Sequence, residues 1–506
     1  MELLKELASV VSKNKAKQIN IIGQESAEES NVQKLYEGII AESFKNEEEA
    51  AACFFPDSGH QKSNFNKLKR SLHKRLLNSL FFIDVNQPGF NNLQKAYYTC
   101  QKDYAALKIL KGRSAHKTAL PLAEKILRNA LRYEFTDLTV NVLRELRPLY
   151  VSMQANQRKL NYCNSLLRQS IDVLQAELQA EEYYHDLAVN FVKSKATKAE
   201  LGKIARKYAK ELEPMVVKFR SHRLLLLAYS VFSLQYEVVN DYKNTLKVCE
   251  EAIQLFEKKK GLVPKTNVLQ FLRKAASCYI QLGNYDKGEK VLNRCLREDE
   301  EEGKTNWYVT NEYYLILLFH SQQYQKAFAV FLDSFWHPGF KNLPPAFQER
   351  WKMYEAFIHY FLATGAIEPG LKEESKLGKF KLQKFLNDVP EFSKDKQGGN
   401  ITILILQILF LLKASKYEDA ISRLEALNAY SHRHLRKNDT FRSNCFIHML
   451  LQVPGSYFNK KAAGRKTKKY VDKLREMPLS EAKQSGELEP VPYEHLWEFV
   501  LASLKG

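Results

Sequence analysis

Glycine and proline are scarce in this sequence: 20 and 15 among 506 residues, where average usage is roughly 7% and 5%. So few turn formers exclude an all-β sandwich or barrel, in which many short strands each need a turn. Cysteine is sparse and odd in number. Cys53, Cys100, Cys163, Cys249, Cys278, Cys295 and Cys445 are scattered along the chain with no pair at C-x-x-C spacing, most of them inside apolar stretches. This excludes a disulfide framework and reads as buried free thiols in a reducing compartment. Long apolar runs are missing as well. Leu224 to Leu234 and Ile401 to Leu412 fall short of the ~20 residues that span a bilayer, and they contain Ser230, Ser233 and Gln407. The opening Met1-Glu2-Leu3-Leu4-Lys5-Glu6 carries an acid where an export signal needs positive charge. A soluble, cytoplasmic protein is expected.

The strings that carry chemistry are absent too. Phosphate-binding loops need glycines at fixed spacing so that backbone N–H groups converge, and neither G-x-x-x-x-G-K-[ST] nor G-x-G-x-x-G occurs. There is no H-E-x-x-H and no G-x-S-x-G. His432 and His434, with His448 farther on, have no carboxylate or cysteine at a useful helical spacing to complete a metal site. The sequence therefore predicts no catalytic residues, no metal, no cofactor and no small-molecule substrate, and so not an enzyme.

What is present is apolar content and positive charge. Apolar residues make up 45% of the chain and aromatics 12%, enough to bury large cores and to exclude a disordered chain. Lys and Arg outnumber Asp and Glu by 77 to 58, for a net charge of +19, which favours acidic protein surfaces, nucleic acid or anionic lipid as partners. From about Leu93 onward, apolar residues recur at helical spacing in stretches of roughly 14 to 20 residues. Short polar joints such as Lys111-Gly112-Arg113 separate them.

Four joints align: Asn240-Asp241-Tyr242, Gly283-Asn284-Tyr285, Gln322-Gln323-Tyr324 and Ser415-Lys416-Tyr417. Three residues after each tyrosine stands a residue that is small or nearly so (Thr245, Gly288, Ala327, Ala420). Cys249, Leu292, Phe331 and Leu424 follow, then Ala252, Cys295, Ser334 and Leu427. A degenerate hairpin around Pro345 to Phe385 would fill the long gap before the last joint. These residues resemble the tetratricopeptide repeat, whose second helix follows a Gly-x-Tyr turn and carries a small residue where two helices cross. The best match is Leu272, Ala276, Tyr279, Gly283, Tyr285, Gly288, Leu292 and Cys295. The repeats depart from the family pattern in being longer than its 34 residues and in lacking its closing proline. The resemblance covers residues 223–430, with Ala123, Leu127 and Ala130 hinting at an earlier unit.

The resemblance implies an all-α fold, an α-solenoid of antiparallel helical hairpins wound into a right-handed superhelix, whose first helices line a concave groove for a protein segment. Transferred repeat by repeat, the groove positions are Arg273, Ser277 and Gln281, then Glu312, Ile316 and His320, then Ile405, Leu409 and Lys413. They lack the Lys and Asn pattern with which some members grip a terminal carboxylate.

Outside the array lie two cationic stretches. A helix expected over Phe65 to Phe82 has an apolar stripe of Phe65, Leu68, Leu72, Leu76 and Leu80. Its other face carries Lys67, Lys69, Arg70, Lys74 and Arg75. Residues 459–473 hold seven Lys and Arg opposed only by Asp472. A final amphipathic helix, Tyr493 to Leu504, is expected to cap the array through Tyr493, Leu496, Trp497, Val500 and Leu501. The expected organisation is thus a helical N-terminal region (1–90), a helical-repeat array (91–455), and a basic linker with a capping helix (456–506). The expected function is a non-catalytic scaffold or adaptor with a protein partner. The alternative is a nucleic-acid-associated regulator that uses the basic patches at 67–75 and 459–473.

Overall fold

The computed structural model describes residues 4–5, 7–8, 27–41, 43–44, 46–56, 60–85, 92–193, 198–219, 221–259, 263–298, 302–370, 380, 385, 399–434, 440–482 and 489–506. Among these the regular elements are helices, and the chain divides into two compact units, Met1–Leu174 and Gln175–Gly506.

In the first unit, α1 (Ala27–Ile40), α2 (Glu47–Phe54) and α3 (Gln61–Leu80) share one small core. Helix α2 starts where the Asn46 side chain accepts the Glu49 N–H at 2.8 Å, and Glu47, Glu48 and Glu49 occupy the first turn, where the helix dipole favours acids. The α3 stripe Phe65, Leu68, Leu72 and Leu76 is buried with Val32, Leu35 and Ile39 of α1 and Ala50 of α2. A second core joins α4 (Asn92–Gly112), α5 (His116–Arg132) and α6 (Thr136–Leu149) to the start of the long α7 (Gln157–Lys193). Ala123, Leu127 and Ala130 lie inside it.

In the second unit, consecutive helices pack each on the next. They are α8 (Lys198–Lys218), α9 (His222–Glu237), α10 (Tyr242–Lys258), α11 (Lys265–Gln281), α12 (Tyr285–Glu298), α13 (Thr305–His320) and α14 (Tyr324–Phe335). The series continues through α15 (Pro345–Thr364), α16 (Gly399–Lys413), α17 (Tyr417–His434), α18 (Phe441–Leu451) and α19 (Lys460–Glu476). The final α20 (Tyr493–Ala502) packs on α16, α18 and α19. Helices α13 and α16 are apolar around most of their circumference and are accordingly buried on nearly all sides. Among the described residues, no helix is long and apolar enough to cross a membrane.

One joint recurs. Ser114, Glu134, Asn240, Gly283, Gln322 and Ser415 all adopt the left-handed conformation, with φ between 53° and 72°. In each case the next residue donates its N–H to the carbonyl five positions back: Ala115 to Leu110, Phe135 to Ala130, Asp241 to Tyr236, Asn284 to Tyr279, Gln323 to Leu318 and Lys416 to Leu411, at 2.8–3.0 Å. This bond closes the helix end by satisfying a carbonyl that would otherwise be orphaned. The four tyrosine joints therefore share one geometry, and two further joints in the first unit have it without a tyrosine. In the first of these, Gly112 is the last residue of α4, and the left-handed position is taken by Ser114.

The aligned positions behind the joints are buried in all four hairpins. Thr245, Gly288, Ala327 and Ala420 are buried, and the two residues that follow in each hairpin's pattern are equally enclosed. A Cβ on Gly288 would stand 2.9 Å from Leu317 Cδ1 on α13, so the glycine permits this approach. Of the hairpin expected over 345–385, α15 is present and closes at Gly365 with φ of 80°. Most of its second half lies outside the described residues. Residues 459–473, expected as a linker, form α19, because Asn459 accepts the Ala462 N–H at 2.9 Å as an N-cap and Ala463, Thr467 and Leu474 supply a buried stripe.

Candidate functional site

The nine groove positions do not come together as an open surface. Arg273 is buried on α11 and its Nε donates to Thr310 Oγ1 at 2.8 Å. Glu312 is buried on α13, where Tyr354 Oη donates to it at 2.9 Å and Arg350 pairs with it at 3.1 Å. Gln281 is enclosed at the end of α11. His320 Nε2 lies 3.2 Å from the Glu489 carbonyl oxygen, a contact between residues 169 apart in sequence. Ile405 and Leu409 are part of the main core. Ser277 and Ile316 are half-buried, and Lys413 is exposed. The faces that carry Arg273, Glu312 and His320 are covered by the next helix or by the returning C-terminal segment, so these three polar groups are consumed inside the chain.

Burial also decides the chemistry of the thiols and histidines. It pushes the thiols of Cys100, Cys163, Cys278 and Cys445 above their ordinary value, and that of Cys249 up to about 12. None of these is a thiolate at neutral pH. Cys53, expected among the buried thiols, is exposed on α2, because the buried side of that short helix is taken by Ala50 and Ala51. Burial pulls His320 down to about 4, with the nearby His495 and Arg442 adding to the shift against the Glu489 carbonyl. His448 is exposed and stacks on Tyr470 with ring centroids 5.5 Å apart. Burial lowers its pKa, and so do His432, Lys469 and Lys473. Among the described residues no three His, Cys, Asp or Glu side chains gather where they could hold a metal ion.

The two cationic helices differ. On α3, Lys69 pairs with Glu47 and lies 5.6 Å from the Phe65 ring centroid. The hydrogen bond from Lys69 holds the Glu47 carboxyl below its usual range. Lys67, Arg70 and Lys74 are exposed and Arg75 is half-buried. On α19, Lys460, Lys461, Arg465, Lys466, Lys468, Lys469, Lys473 and Arg475 are all exposed. Lys466 Nζ donates to the Gly455 carbonyl and Lys469 lies over the Tyr470 ring. Between Lys461, Gly464, Arg465 and Lys468 is a shallow depression of about 490 Å³.

Beneath α19 lies a network that helical spacing does not foretell. Arg442 on α18, one of the largest fully buried side chains, donates to the Leu474 and Met477 carbonyls at 3.0 and 2.9 Å. It also reaches Glu489 at 3.0 and 2.8 Å and Glu494 at 2.6 Å. Glu489 in turn accepts the Tyr493 N–H at 2.9 Å, which caps α20. Burial works against the Arg442 charge, but the two carboxylates outweigh it and raise its pKa. The only sequence signal is an arginine at a position where the α18 pattern expects an apolar residue.

In comparisons with known proteins, the chain matches no family model, no curated protein and no solved structure.

Proposed function

We propose that this chain is a non-catalytic scaffold for protein partners, built from long, divergent repeats of the tetratricopeptide type and working in a reducing cytoplasm. The observation that supports it best is the repetition itself. The same joint and the same buried crossing residue return in successive hairpins, a regularity that stacking requires and catalysis does not. The fate of the polar groups agrees with it. Arg273, Glu312 and His320 are spent on internal contacts, and the buried thiols are held protonated.

A partner would meet the accessible members of the first-helix series, Ser277, Ile316 and Lys413, and not their buried neighbours. The test is co-purification of the intact chain with a stoichiometric protein partner at physiological salt. It is then repeated with Ser277→Glu, Ile316→Asp and Lys413→Glu combined, after circular dichroism has shown unchanged helicity. Loss of the partner is expected. A partner held equally well by the triple variant overturns the assigned surface, and a chain that stays monomeric and alone overturns the scaffold reading.

A further inference from the structure

Three local features around the start of α19 run against what stability alone would select. The first is charge. Residues 460–471 carry six Lys and Arg and no acid, and Lys460 and Lys461 stand in the first turn, where the positive end of the helix dipole disfavours them. None of these six side chains forms an ion pair with a described acidic residue. The second is Gly464. A glycine inside a helix costs about 1 kcal/mol relative to alanine, yet nothing lies within 4 Å of where its Cβ would be. It sits between Lys461, Arg465 and Lys468 and leaves the backbone open at the depression they line.

The third is Tyr457, two residues before the N-cap. It is 89% exposed, the most exposed large apolar or aromatic side chain among the described residues. It has φ of 52° and is followed by Phe458 at 56°. The recurring joints put Ser, Glu, Asn, Gly or Gln in this left-handed region; here a bulky ring occupies it and gains almost no packing. Phe458 is buried and stacks on Tyr417 with centroids 4.1 Å apart, which anchors the turn and leaves the Tyr457 ring facing solvent.

We propose that this surface binds single-stranded nucleic acid, with phosphates taken by Lys461, Arg465 and Lys468 and a base stacked on Tyr457. A helix rises 1.5 Å per residue, so these cations recur every ~4.5–6 Å along one stripe, comparable to successive phosphates on an unpaired strand. An aromatic side chain four residues ahead of a cationic track supplies the combination by which proteins hold single strands without reading their sequence. An acidic protein segment would satisfy the charges but would give the exposed ring no role. The proposal does not depend on the scaffold reading, because none of its residues belongs to the first-helix series.

The experiment measures fluorescence anisotropy of a labelled thymidine oligonucleotide of about 20 residues with the full chain, from about 0.05 to 0.3 M salt. We expect binding that persists at about 0.15 M salt with a logarithmic slope near −2, the value for about three phosphates on a single strand. Arg465→Glu with Lys468→Glu lowers affinity at least about tenfold. Tyr457→Gly, which suits the left-handed backbone and so keeps the turn, weakens the oligonucleotide roughly tenfold and leaves binding of inorganic polyphosphate unchanged. A denaturation midpoint no lower than that of the parent chain confirms that both variants are folded. The proposal is overturned by binding that vanishes at physiological salt. It is equally overturned if polyglutamate of matched charge competes as well as the oligonucleotide while Tyr457→Gly changes nothing, because that pattern belongs to an acidic-protein surface.

Discussion

Helices α3 and α19 look alike in sequence, each an apolar stripe backed by lysines and arginines, yet they present their charge differently. On α3 the acidic first turn of α2 reaches Lys69, and the ammonium of that lysine lies over the Phe65 ring. On α19 the exposed cations face solvent over the whole helix, while the buried cation beneath it, Arg442, is fully partnered. The count of basic residues is therefore a poor guide to available charge. What matters is whether the fold brings an acid within reach, and that depends on segments distant in sequence.

The largest expected effect tests the partnered side of this contrast. Arg442→Ala strands Glu489 in the interior and frees the end of α19, and it should cost about 3–5 kcal/mol in urea denaturation. Replacing Arg442 and Glu489 together by Met and Leu should recover most of that loss, since the expense lies in the unpaired charge. If the single and double variants unfold at the same midpoint, the network does not hold α19 in place.

The second effect uses a site where new charge would find no partner. His320 is held neutral down to about pH 4, whereas in the unfolded chain it takes up a proton near 6.5. Between those values the unfolded state binds more protons, so stability is fully present above about pH 6.5 and falls as the pH drops toward 4. The loss is on the order of 3 kcal/mol. His320→Gln keeps a donor for the Glu489 carbonyl and should flatten that part of the pH profile. An unchanged slope would place the titrating group elsewhere.

The smallest effect compares the two helices directly. Lys69→Gln should lower stability by about 0.2–1 kcal/mol, the range for an ion pair at the protein surface. Lys468→Gln should leave the midpoint unchanged or raise it, because it removes repulsion. Added salt should shrink the first difference. If both substitutions destabilise equally, the contrast between the helices is wrong.

Much of the second unit was legible in the sequence, because stacked hairpins impose a local pattern. A tyrosine, a small crossing residue and two buried positions recur at fixed offsets, and the structure encloses those positions in all four hairpins. The joints at Ser114 and Glu134 escaped because the turn is held by a hydrogen bond to the carbonyl five positions back, which any residue able to take positive φ can support. Gly112 drew attention to the wrong position. The groove positions were misleading for another reason. Helical spacing tells which residues share a face, but His320 and Ile405 are covered by parts of the chain far away in sequence, including the segment from Glu489 onward. The same distance hid the Arg442 network, and the missing glycine at Tyr457 hid its turn.

The recurring joint also offers a route to a sturdier protein. Of the six left-handed positions named for it above, five hold residues other than glycine, and each carries a steric strain that glycine lacks. Substituting glycine at Ser114, Glu134, Gln322 and Ser415 should each raise stability by about 0.5–1 kcal/mol once the extra freedom of the unfolded chain is deducted. The gain should be smallest at Asn240, since asparagine tolerates this conformation. The joints lie on separate hairpins, so the gains should add, and the present sequence would then stand several kcal/mol below the stability its own architecture permits.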